Sequence, residues 1–273
     1  MIKRKLRGFL KSIINEVLNE IALTYKNEKI STNTDEFILL PKKGLTFSED
    51  LLHTYHNADF LNDPLFKESY ALGKATDKNE VLLKNYDIRW RIHVLCWAAY
   101  HATHLEGDFV DCGVNTGIFS RAIINFVDFN KTGKKYFLLD TFNGLDSKYS
   151  SEKEMSRNKI INYENQKTLY EDVKDTFKNF NVEIIKGPVP ETLPLVKSEK
   201  ICFLSIDMNS VQPEEEALNY FWDKMVSGGI IILDDYGYAN STNDQKAAHD
   251  KFAISKGIMI LTLPTCQGLI IKP

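Results

Sequence analysis

The chain has 273 residues, of which 43% are hydrophobic and 26% charged, and its 34 basic and 37 acidic side chains give a formal net charge of −3. This composition excludes wholesale disorder, and without a basic excess it argues against nucleic acid as a partner. No apolar run approaches the about 20 residues that span a bilayer. The N-terminus lacks an unbroken apolar segment with a cleavage site, and the four cysteines form no CxxC pair. We therefore expect a cytoplasmic protein.

The N-terminal region reads as a helix followed by a polar segment. Apolar residues recur at helical spacing over residues 4–25, and basic side chains are frequent among the first eleven positions. Such a helix would contact a membrane surface or a partner subunit, or pack on its own domain. Residues 27–84 are mixed and polar, with prolines and glycines as breakers, and are expected to form short helices and loops, with a lid as one role. We therefore predict a helical extension over 1–84 and a main domain over 85–273.

From residue 86 onward, patterns typical of strands and helices alternate. Helices are predicted over about 86–104, 118–129, within 147–180, and over 191–196, 213–225 and 243–256; strands are predicted over 109–112, 136–140, 182–186, 201–207 and 230–234. This alternation predicts an α/β fold with a largely parallel sheet covered on both faces. Two final strands, 258–263 and 268–272, are separated by four residues. That connection is too short for a parallel crossover, so it predicts an antiparallel hairpin.

The strand over 109–112 runs into a turn that contains two glycines, Asp111-Cys-Gly-Val-Asn-Thr-Gly117. In open α/β sheets, ligands bind beyond the carboxyl ends of the strands. Gly113 permits a tight turn, and Gly117 lets the backbone approach a ligand at the start of the next helix. The loop therefore favours a nucleotide cofactor, and the alternative is an ordinary strand-to-helix turn.

The following strand ends at Asp140, which lies 23 residues after Gly117. A carboxylate at this position can accept hydrogen bonds from both hydroxyls of a ribose, and it lies about 20 residues after the glycines in dinucleotide-binding chains. The alternative is that Asp140 caps the turn before Asn143 and Gly144. We predict that Asp140 binds a ribose.

Three aspartates follow two later strands of the sheet. Asp207 closes the strand over 201–207, and Asp234 and Asp235 follow the strand over 230–234. Neighbouring parallel strands lie about 4.8 Å apart, so these side chains can converge. Gathered carboxylates need a cation or a proton, and Mg²⁺ binds through carboxylates, substrate oxygens and water. We predict a metal site, and the alternative is that two of the three cap loops or helix starts.

Four motifs in the same order carry a resemblance to a known family. They are Phe109-Val-Asp-Cys-Gly-Val-Asn-Thr-Gly117, Leu139-Asp-Thr-Phe-Asn-Gly-Leu145, Lys186-Gly-Pro-Val-Pro-Glu-Thr-Leu-Pro194 and Gly228-Gly-Ile-Ile-Ile-Leu-Asp-Asp-Tyr-Gly237. From about residue 86 onward, the chain resembles the macrocin O-methyltransferase (TylF-like) family of class I S-adenosylmethionine-dependent methyltransferases. The resemblance implies a Rossmann-like fold whose mostly parallel seven-stranded sheet includes the closing hairpin. It also implies methylation of sugar hydroxyls with Mg²⁺.

The resemblance implies roles for individual residues. The cofactor-binding residues would be Asp111, Cys112, Gly113, Asn115, Gly117, Ser120, Asp140, Thr141, Phe142, Gly187, Pro188 and Val189. The glycine loop would line the methionine part of S-adenosylmethionine, Asp140 would hold its ribose, and residues 187–189 would border its adenine. The metal ligands would be Asp207, Asp234 and Asp235.

The expected reaction is an in-line attack of a sugar oxygen on the sulfonium methyl group. Mg²⁺ would hold two neighbouring hydroxyls and lower their pKa. Asp207, at the edge of the metal site nearest the cofactor, is the candidate base. His249 is a second candidate, although its predicted helix favours a structural role, and His53 and His56 lie in the candidate lid.

Two other classes of function share part of this pattern. A nicotinamide-dependent oxidoreductase acting on a nucleotide sugar would use the glycine loop and Asp140, but it would not explain the acidic residues or the terminal hairpin. A non-catalytic binding module is the other alternative. The expected partners are a small-molecule or glycan-precursor substrate and, through the N-terminal helix, a membrane surface or a second subunit in a homo-oligomer.

Overall fold

A computed structural model describes residues 41–78, 87–161, 168–238 and 243–273. The chain divides into two compact units, residues 1–45 and 46–273. The predicted N-terminal helix lies outside the described residues, and so does the predicted boundary between residues 84 and 85. Within the described ranges, no helix combines the length and the apolar character needed to cross a membrane.

The second unit contains the strands and helices of the described residues. Its strands are β1 Phe47–Glu49, β2 Leu52–Thr54, β3 Asp108–Cys112, β4 Tyr136–Asp140, β5 Val182–Lys186, β6 Ile201–Ile206, β7 Met225–Leu233, β8 Leu261–Thr262 and β9 Gly268–Ile271. Its α-helices are α1 Pro64–Lys74, α2 Arg89–Thr103, α3 Ile118–Phe126, α4 Glu152–Ile161, α5 Leu169–Phe177, α6 Val211–Trp222 and α7 Asn243–Lys256. Short 3-10 turns span Asp59–Asn62, Phe129–Thr132 and Leu193–Leu195.

Seven strands form one sheet in the order β5-β4-β3-β6-β7-β9-β8. The pairs among β3 to β7 are parallel, whereas β9 is antiparallel to both β7 and β8. The predicted α/β fold, its parallel sheet and its closing hairpin are therefore confirmed. The strand order reverses between β3 and β6, which is where ligands bind in sheets of this kind.

Helices cover both faces of this sheet. On one face, strand residues such as Val110 pack with α6 and α7 in one apolar cluster. On the other face, residues such as Phe109 pack with α2, α3 and α5 in a second cluster. Alternate residues of a strand point to opposite faces, so the long apolar runs of β3, β4, β6 and β7 follow from burial on both sides.

Residues 46–78, which follow the first unit, belong to the second unit and include α1. Asp63 caps α1 by accepting the Phe66 N–H at 2.7 Å, and Pro64 takes the first helical position. Gly73, expected from its residue type to break a helix, instead lies in the last turn of α1. A Cβ atom at Gly73 would lie 2.6 Å from the Ile118 carbonyl oxygen, so glycine is used here for close packing of α1 against α3.

The largest differences from the predicted element boundaries are at three elements. β7 begins at Met225 rather than at residue 230, because the strand continues through two glycines with a shift in its pairing to β6. β8 spans only Leu261–Thr262 at the edge of the sheet. The predicted helix over 191–196 is a 3-10 turn with a proline in its first turn.

Candidate active site

The carboxyl ends of β3 and β6 touch at the point where strand order reverses. Gly113 has a φ of +96°, and a Cβ atom there would lie 1.7 Å from the carbonyl oxygen of Asp207. The Gly113 N–H donates to Leu139 O at 2.9 Å, and the Asp207 N–H donates to Cys112 O at 2.8 Å. The absence of a side chain at Gly113 therefore lets the glycine loop lie directly against Asp207.

Asp140, at the end of β4, fixes two loops at once. Its Oδ2 accepts the Asn115 N–H at 2.8 Å, and its Oδ1 accepts the Phe142 N–H at 2.6 Å. Burial raises the pKa of Asp140, and these backbone hydrogen bonds act in the opposite direction. The Thr141 hydroxyl also donates to Oδ1, at 3.5 Å. A carboxylate has about four acceptor positions, so Asp140 can hold both loops and still accept a ribose hydroxyl.

A cleft of about 780 Å³, counted with its open mouth, lies beyond these strand ends. The predicted residues that line it are Gly113, Asn115, Asp140, Thr141, Gly187, Pro188, Val189 and Asp207. The lining residues that sequence reasoning missed are Leu139, Gly144, Leu145, Asp146, Tyr149, Ser150, Leu169, Met208, Asn209 and Pro213. Most of these missed residues belong to the loop after β4 and to the loop after β6. Their only signal in the sequence is that they follow predicted strand ends.

The remaining predicted cofactor residues do not belong to this lining. Asp111 is 1% exposed and accepts a hydrogen bond from Ser120 inside the domain, and Cys112 is buried in the apolar core. Phe142 is buried and meets Asp140 through its backbone. A Cβ atom at Gly117 would lie 2.6 Å from the Phe177 ring. These residues pack inside the domain and support the loops that line the cleft. Their contact with a cofactor stays a prediction.

Asp207, Asp234 and Asp235 form an acidic triad beside the cleft, in which one carboxylate oxygen from each lies within 4.8 Å of the others. Burial, followed by the charges of Asp234 and Asp235, raises the pKa of Asp207 well above its usual range. Burial and then Asp234 raise the pKa of Asp235 to about 7. Gathered carboxylates with raised pKa values indicate a site whose negative charge exceeds the positive charge beside it.

Arg91 and Gln267, which sequence reasoning missed, hold the Asp234 side chain. Arg91 Nη1 donates to Asp234 Oδ2 at 2.7 Å, and Gln267 Nε2 donates to Asp234 Oδ1 at 2.9 Å. Arg91 also pairs with Asp50 in the turn between β1 and β2. The sequence did contain a signal for Arg91. It lies four residues before Leu95 and therefore on the apolar face of a predicted helix, where a charged side chain needs a partner of opposite charge.

The acidic triad fits a hard divalent cation. Ligand oxygens about 2.1 Å from Mg²⁺ lie about 3.0 Å apart when adjacent and about 4.2 Å apart when opposite, so the triad oxygens, which lie within 4.8 Å of one another, would move closer together on binding. Arg91 pairs with Asp50, Asp234 and Asp235, and Asp207 adds a fourth carboxylate next to Asp234 and Asp235. This set leaves excess negative charge for a cation to neutralise. Carboxylate oxygens are also the ligands that Mg²⁺ prefers.

Comparison with known proteins decides the family. The family model described as macrocin O-methyltransferase (TylF) matches residues 90–260, which is more than half of the chain and includes the glycine loop, Asp140 and the triad. The chain belongs to the macrocin O-methyltransferase family. This membership makes it an O-methyltransferase of an S-adenosylmethionine-dependent family, and sets aside the oxidoreductase and the non-catalytic module.

Individual relatives of this O-methyltransferase agree with the family. It is 22% identical to demethyldecarbamoylnovobiocin O-methyltransferase of Streptomyces niveus over 64% of this chain and 74% of the relative. It is 23% identical to the 8-demethyl-8-(2,3-dimethoxy-alpha-L-rhamnosyl)-tetracenomycin-C 4'-O-methyltransferase of Streptomyces olivaceus over 52% of this chain and 57% of that relative. The solved structure of the O-methyltransferase NovP covers 76% of this chain and 97% of its own, at a TM-score of 0.60 and 17% identity, which supports the fold.

In this O-methyltransferase, a buried polar network holds the loop after β6. Glu214, in the first turn of α6, accepts the Met208 N–H at 3.1 Å and a hydrogen bond from Gln245 at 2.9 Å. His249 is 2% exposed, with its Nε2 atom 3.1 Å from Glu214. Arg157 Nη2 donates to the Asn209 carbonyl oxygen at 3.0 Å. His249 therefore lies behind the loop rather than in the cleft, which agrees with the structural role favoured from sequence.

The histidines of the predicted lid lie on the β1–β2 hairpin and just after it. His53 pairs across the hairpin with Ser48 at 2.8 Å. The His56 carbonyl oxygen accepts a hydrogen bond from the Thr46 hydroxyl at 2.5 Å. Both histidine side chains are exposed, and in this O-methyltransferase it is Asp50 rather than a histidine that connects the hairpin to the triad.

Proposed function

We propose that this O-methyltransferase transfers the methyl group of S-adenosylmethionine to a hydroxyl of a sugar or of a glycosylated small molecule, with Mg²⁺ bound by the acidic triad. One observation carries the proposal: Asp207 belongs both to the lining of the cleft and to the triad. A methyl donor in the cleft and an oxygen held at the triad would therefore meet at one side chain. Holding two reactants in this way supplies a large part of a rate enhancement.

The cleft has the features that S-adenosylmethionine needs. Asp140 presents carboxylate oxygens for the ribose, and Gly113 lets the loop approach the methionine part closely. Leu145, Pro188 and Val189 add apolar surface to the part of the cleft that would hold the adenine. A mostly apolar lining with a few fixed polar groups is typical of cofactor sites.

A sugar is the acceptor that best fits the triad. Vicinal hydroxyls on a sugar ring offer two neighbouring oxygens, which suits a cation that keeps several coordination positions for substrate and water. The relative from Streptomyces olivaceus is named for methylation of a rhamnosyl group, and the family is named for macrocin. An antibiotic sugar or a glycan precursor therefore falls within the proposed substrate class.

In the proposed mechanism, Asp207 receives the proton that leaves the acceptor hydroxyl. When bound, Mg²⁺ supplies positive charge that lowers the pKa of that hydroxyl. Asn209 Nδ2 donates to Asp207 Oδ1 at 3.2 Å, which orients the carboxylate. As the new C–O bond forms, the C–S bond breaks and its electron pair returns to sulfur, so the sulfonium becomes a neutral thioether. The glycine loop and Asp140 keep the donor in line.

Replacement of Asp235 by asparagine tests the proposal. Asp235→Asn removes one triad charge without disturbing the contacts of Arg91 and Gln267 to Asp234. We expect methyl transfer to a panel of sugar acceptors to fall at least about 100-fold. S-adenosylhomocysteine affinity, measured by calorimetry, should stay within about twofold, because Asp235 lies outside the cleft lining.

Asp223→Asn is the matched control, since Asp223 is an exposed aspartate just after α6 and its replacement should leave methyl transfer unchanged. Chelation with EDTA should abolish transfer by the unmodified protein, and added Mg²⁺ should restore it. Full activity in EDTA would remove the metal from the proposal. Absence of S-adenosylhomocysteine binding to the unmodified protein would overturn the assignment of the cleft.

A further inference from the structure

The guanidinium group of Arg91 lies between two sets of carboxylates. Its Nε and Nη2 atoms donate to Asp50 at 2.6 and 2.9 Å, and its Nη1 atom donates to Asp234 at 2.7 Å. Asp235 Oδ1 lies 3.7 Å from the same Nη1 atom. The Arg91 side chain is 8% exposed, so solvent screens these ion pairs weakly. One buried positive charge is therefore shared between the β1–β2 hairpin and the acidic triad.

Asp50 reaches Arg91 because of the conformation of the hairpin turn. Asp50 and Leu51 are the two residues between the paired positions Glu49 and Leu52, and their φ angles are +50° and +60°. A two-residue hairpin loop with both residues in this region favours Asn-Gly or Asp-Gly, so Asp50 suits the first position and Leu51 is unusual at the second. Tyr238 adds a hydrogen bond from its hydroxyl to Asp50 at 3.3 Å, and its ring lies 4.9 Å from the Arg91 guanidinium carbon. Contacts beside the triad thus hold the turn.

We propose that the β1–β2 hairpin sets the affinity of the acidic triad for its divalent cation, because Asp50 draws the charge of Arg91 away from Asp234 and Asp235. Arg91 and a divalent cation compete for the same carboxylates, and a positive charge a few ångströms from the cation opposes its binding. The two hydrogen bonds to Asp50 weaken this competition. The inference rests on the proposed function in one respect, that the triad binds a cation.

Thermodynamic linkage gives the inference a second consequence. If Asp50 favours cation binding by holding Arg91, then a bound cation must favour the Arg91–Asp50 pair by the same free energy. A cation at Asp234 takes over the role of Nη1 and leaves Arg91 to Asp50. Cation binding therefore strengthens the docking of residues 47–54 on the main domain.

The affinity of the full-length protein for Mn²⁺, without donor or acceptor and measured by electron paramagnetic resonance, tests the competition. Asp50→Asn leaves Arg91 charged and turns it toward the triad, so Mn²⁺ binding should weaken by about tenfold. Arg91→Gln removes the competing charge, so Mn²⁺ binding should strengthen by about tenfold. A purely structural role for the ion pair would move both affinities in the same direction.

Two variants on the same elements serve as controls. Arg89→Gln removes an arginine two residues earlier in α2 that pairs with Asp87, and Glu49→Gln removes an exposed charge next to Asp50. Both should leave Mn²⁺ affinity within about twofold of the unmodified protein, because each changes charge outside the shared ion pair. If the control variants changed Mn²⁺ affinity as much as Asp50→Asn and Arg91→Gln do, the changes would reflect the net charge of the protein alone, and the inference would be overturned.

Further variants keep the test decisive if a single variant fails to fold, since each leaves a buried charge without its partner. Arg91→Lys keeps the charge but loses the two-point contact with Asp50, so it should weaken Mn²⁺ binding as Asp50→Asn does. The double variant Asp50→Asn/Arg91→Gln removes both charges and should bind Mn²⁺ like Arg91→Gln. Circular dichroism verifies that each variant is folded before its affinity is compared.

Hydrogen exchange gives a readout that is independent of affinity. Saturating Mn²⁺ should slow amide exchange in residues 47–54 of the unmodified protein and leave it unchanged in Arg91→Gln. Shifts of the same sign in Asp50→Asn and Arg91→Gln, or no change in exchange, would overturn the inference while leaving the metal site intact. If the unmodified protein binds no Mn²⁺, the inference fails together with the metal part of the proposed function.

Discussion

Gly113, at the end of β3, brings together the cleft and the acidic triad of this O-methyltransferase. Gly113 lies where β3 and β6 touch, at a φ of +96°, and its missing side chain lets the glycine loop reach Asp207. The loop belongs to the cleft and Asp207 to both the cleft and the triad. Close packing at this one glycine therefore connects the two halves of the proposed site.

Gly113→Ala should damage both halves. The new Cβ atom would lie 1.7 Å from the Asp207 carbonyl oxygen, so the strand ends must separate, and we expect the free energy of unfolding to fall by more than about 3 kcal/mol. Binding of S-adenosylhomocysteine should be lost as well. Urea denaturation and calorimetry measure the two effects.

Gly133→Ala is the matched control, because Gly133 has a φ of +71° with no atom within 4 Å of the added Cβ. It should lose about 1 to 2 kcal/mol of unfolding free energy from backbone conformation alone and keep full ligand affinity. Similar losses in the two variants would show that the contact with Asp207 is unimportant.

Asp111 shows how burial changes the chemistry of a predicted site residue. It lies on β3 opposite Ser205 of β6, and it accepts a hydrogen bond from Ser120. Burial raises its pKa to about 7, against the opposing effect of the Ser120 and Ser205 hydroxyls. Between about pH 4 and pH 7, the folded protein therefore keeps a proton on Asp111 that the unfolded chain, in which the pKa of aspartate is about 3.9, has released.

This shift predicts a pH dependence of stability that Asp111→Asn removes. Because the pKa of Asp111 is higher in the folded protein, the contribution of Asp111 to the free energy of unfolding falls as the pH increases from about 4 to about 7. Asp111→Asn should be stabilised relative to the unmodified protein by at least about 1 kcal/mol more at pH 8 than at pH 5. Urea denaturation at several pH values measures the difference, and parallel profiles for the two proteins would contradict the prediction.

At the scale of elements, α1 is an integral part of the domain that carries the site. Phe66 of α1 packs in one buried cluster with Ile92 of α2 and Ile118 of α3. Gly73 allows the backbone of α1 to approach α3 closely. Through α2, which also carries Arg91, this packing positions the helix that reaches the triad.

Gly73→Ala tests this packing. In an exposed helix, alanine would add about 1 kcal/mol of stability over glycine. Here its Cβ atom would lie 2.6 Å from the Ile118 carbonyl oxygen and 3.1 Å from the Ala122 Cβ atom, and overpacking costs about 1 to 3 kcal/mol. We expect a net loss of about 1 to 2 kcal/mol in the free energy of unfolding, measured by urea denaturation.

The neighbouring exposed residue provides the control for that measurement. Lys74→Ala, one position later in α1, should change the free energy of unfolding by less than about 0.5 kcal/mol. A stabilising Gly73→Ala would mean that propensity outweighs packing, and that α1 lies farther from α3 than in this structure.

At the scale of the whole molecule, the layered fold brings the carboxyl ends of five parallel strands, β3 to β7, to one edge of the sheet. β3, β4 and β5 contribute the loops of the cleft, and β6 contributes Asp207. The neighbouring β7 leads into Asp234 and Asp235. A homo-oligomer, a cytoplasmic location and contact of the N-terminal segment with a membrane or a second subunit stay predictions.

The amino-acid sequence by itself determined the fold class, the parallel sheet with its closing hairpin and the family. The fold class and the sheet follow from local patterns: apolar runs of strand length, glycines at turns, and a four-residue connection between the last two strands. The family followed from the resemblance of four ordered motifs. The sequence also indicated Asp140 and the three aspartates of the triad, because a residue that ends a parallel strand must lie at the ligand-binding edge.

Only the tertiary structure decided which of those residues share the cleft and which lie behind it. Asp140 is the last residue of β4, whereas Asp111 lies one residue inside β3, where Ser120 of α3 donates a hydrogen bond to its buried carboxyl group. The pairing of Arg91 with Asp50 and Asp234 joins residues 41 and 143 positions apart. The spacing of apolar and polar residues along the chain does not predict such contacts, because they depend on how helices and hairpins pack in the folded protein.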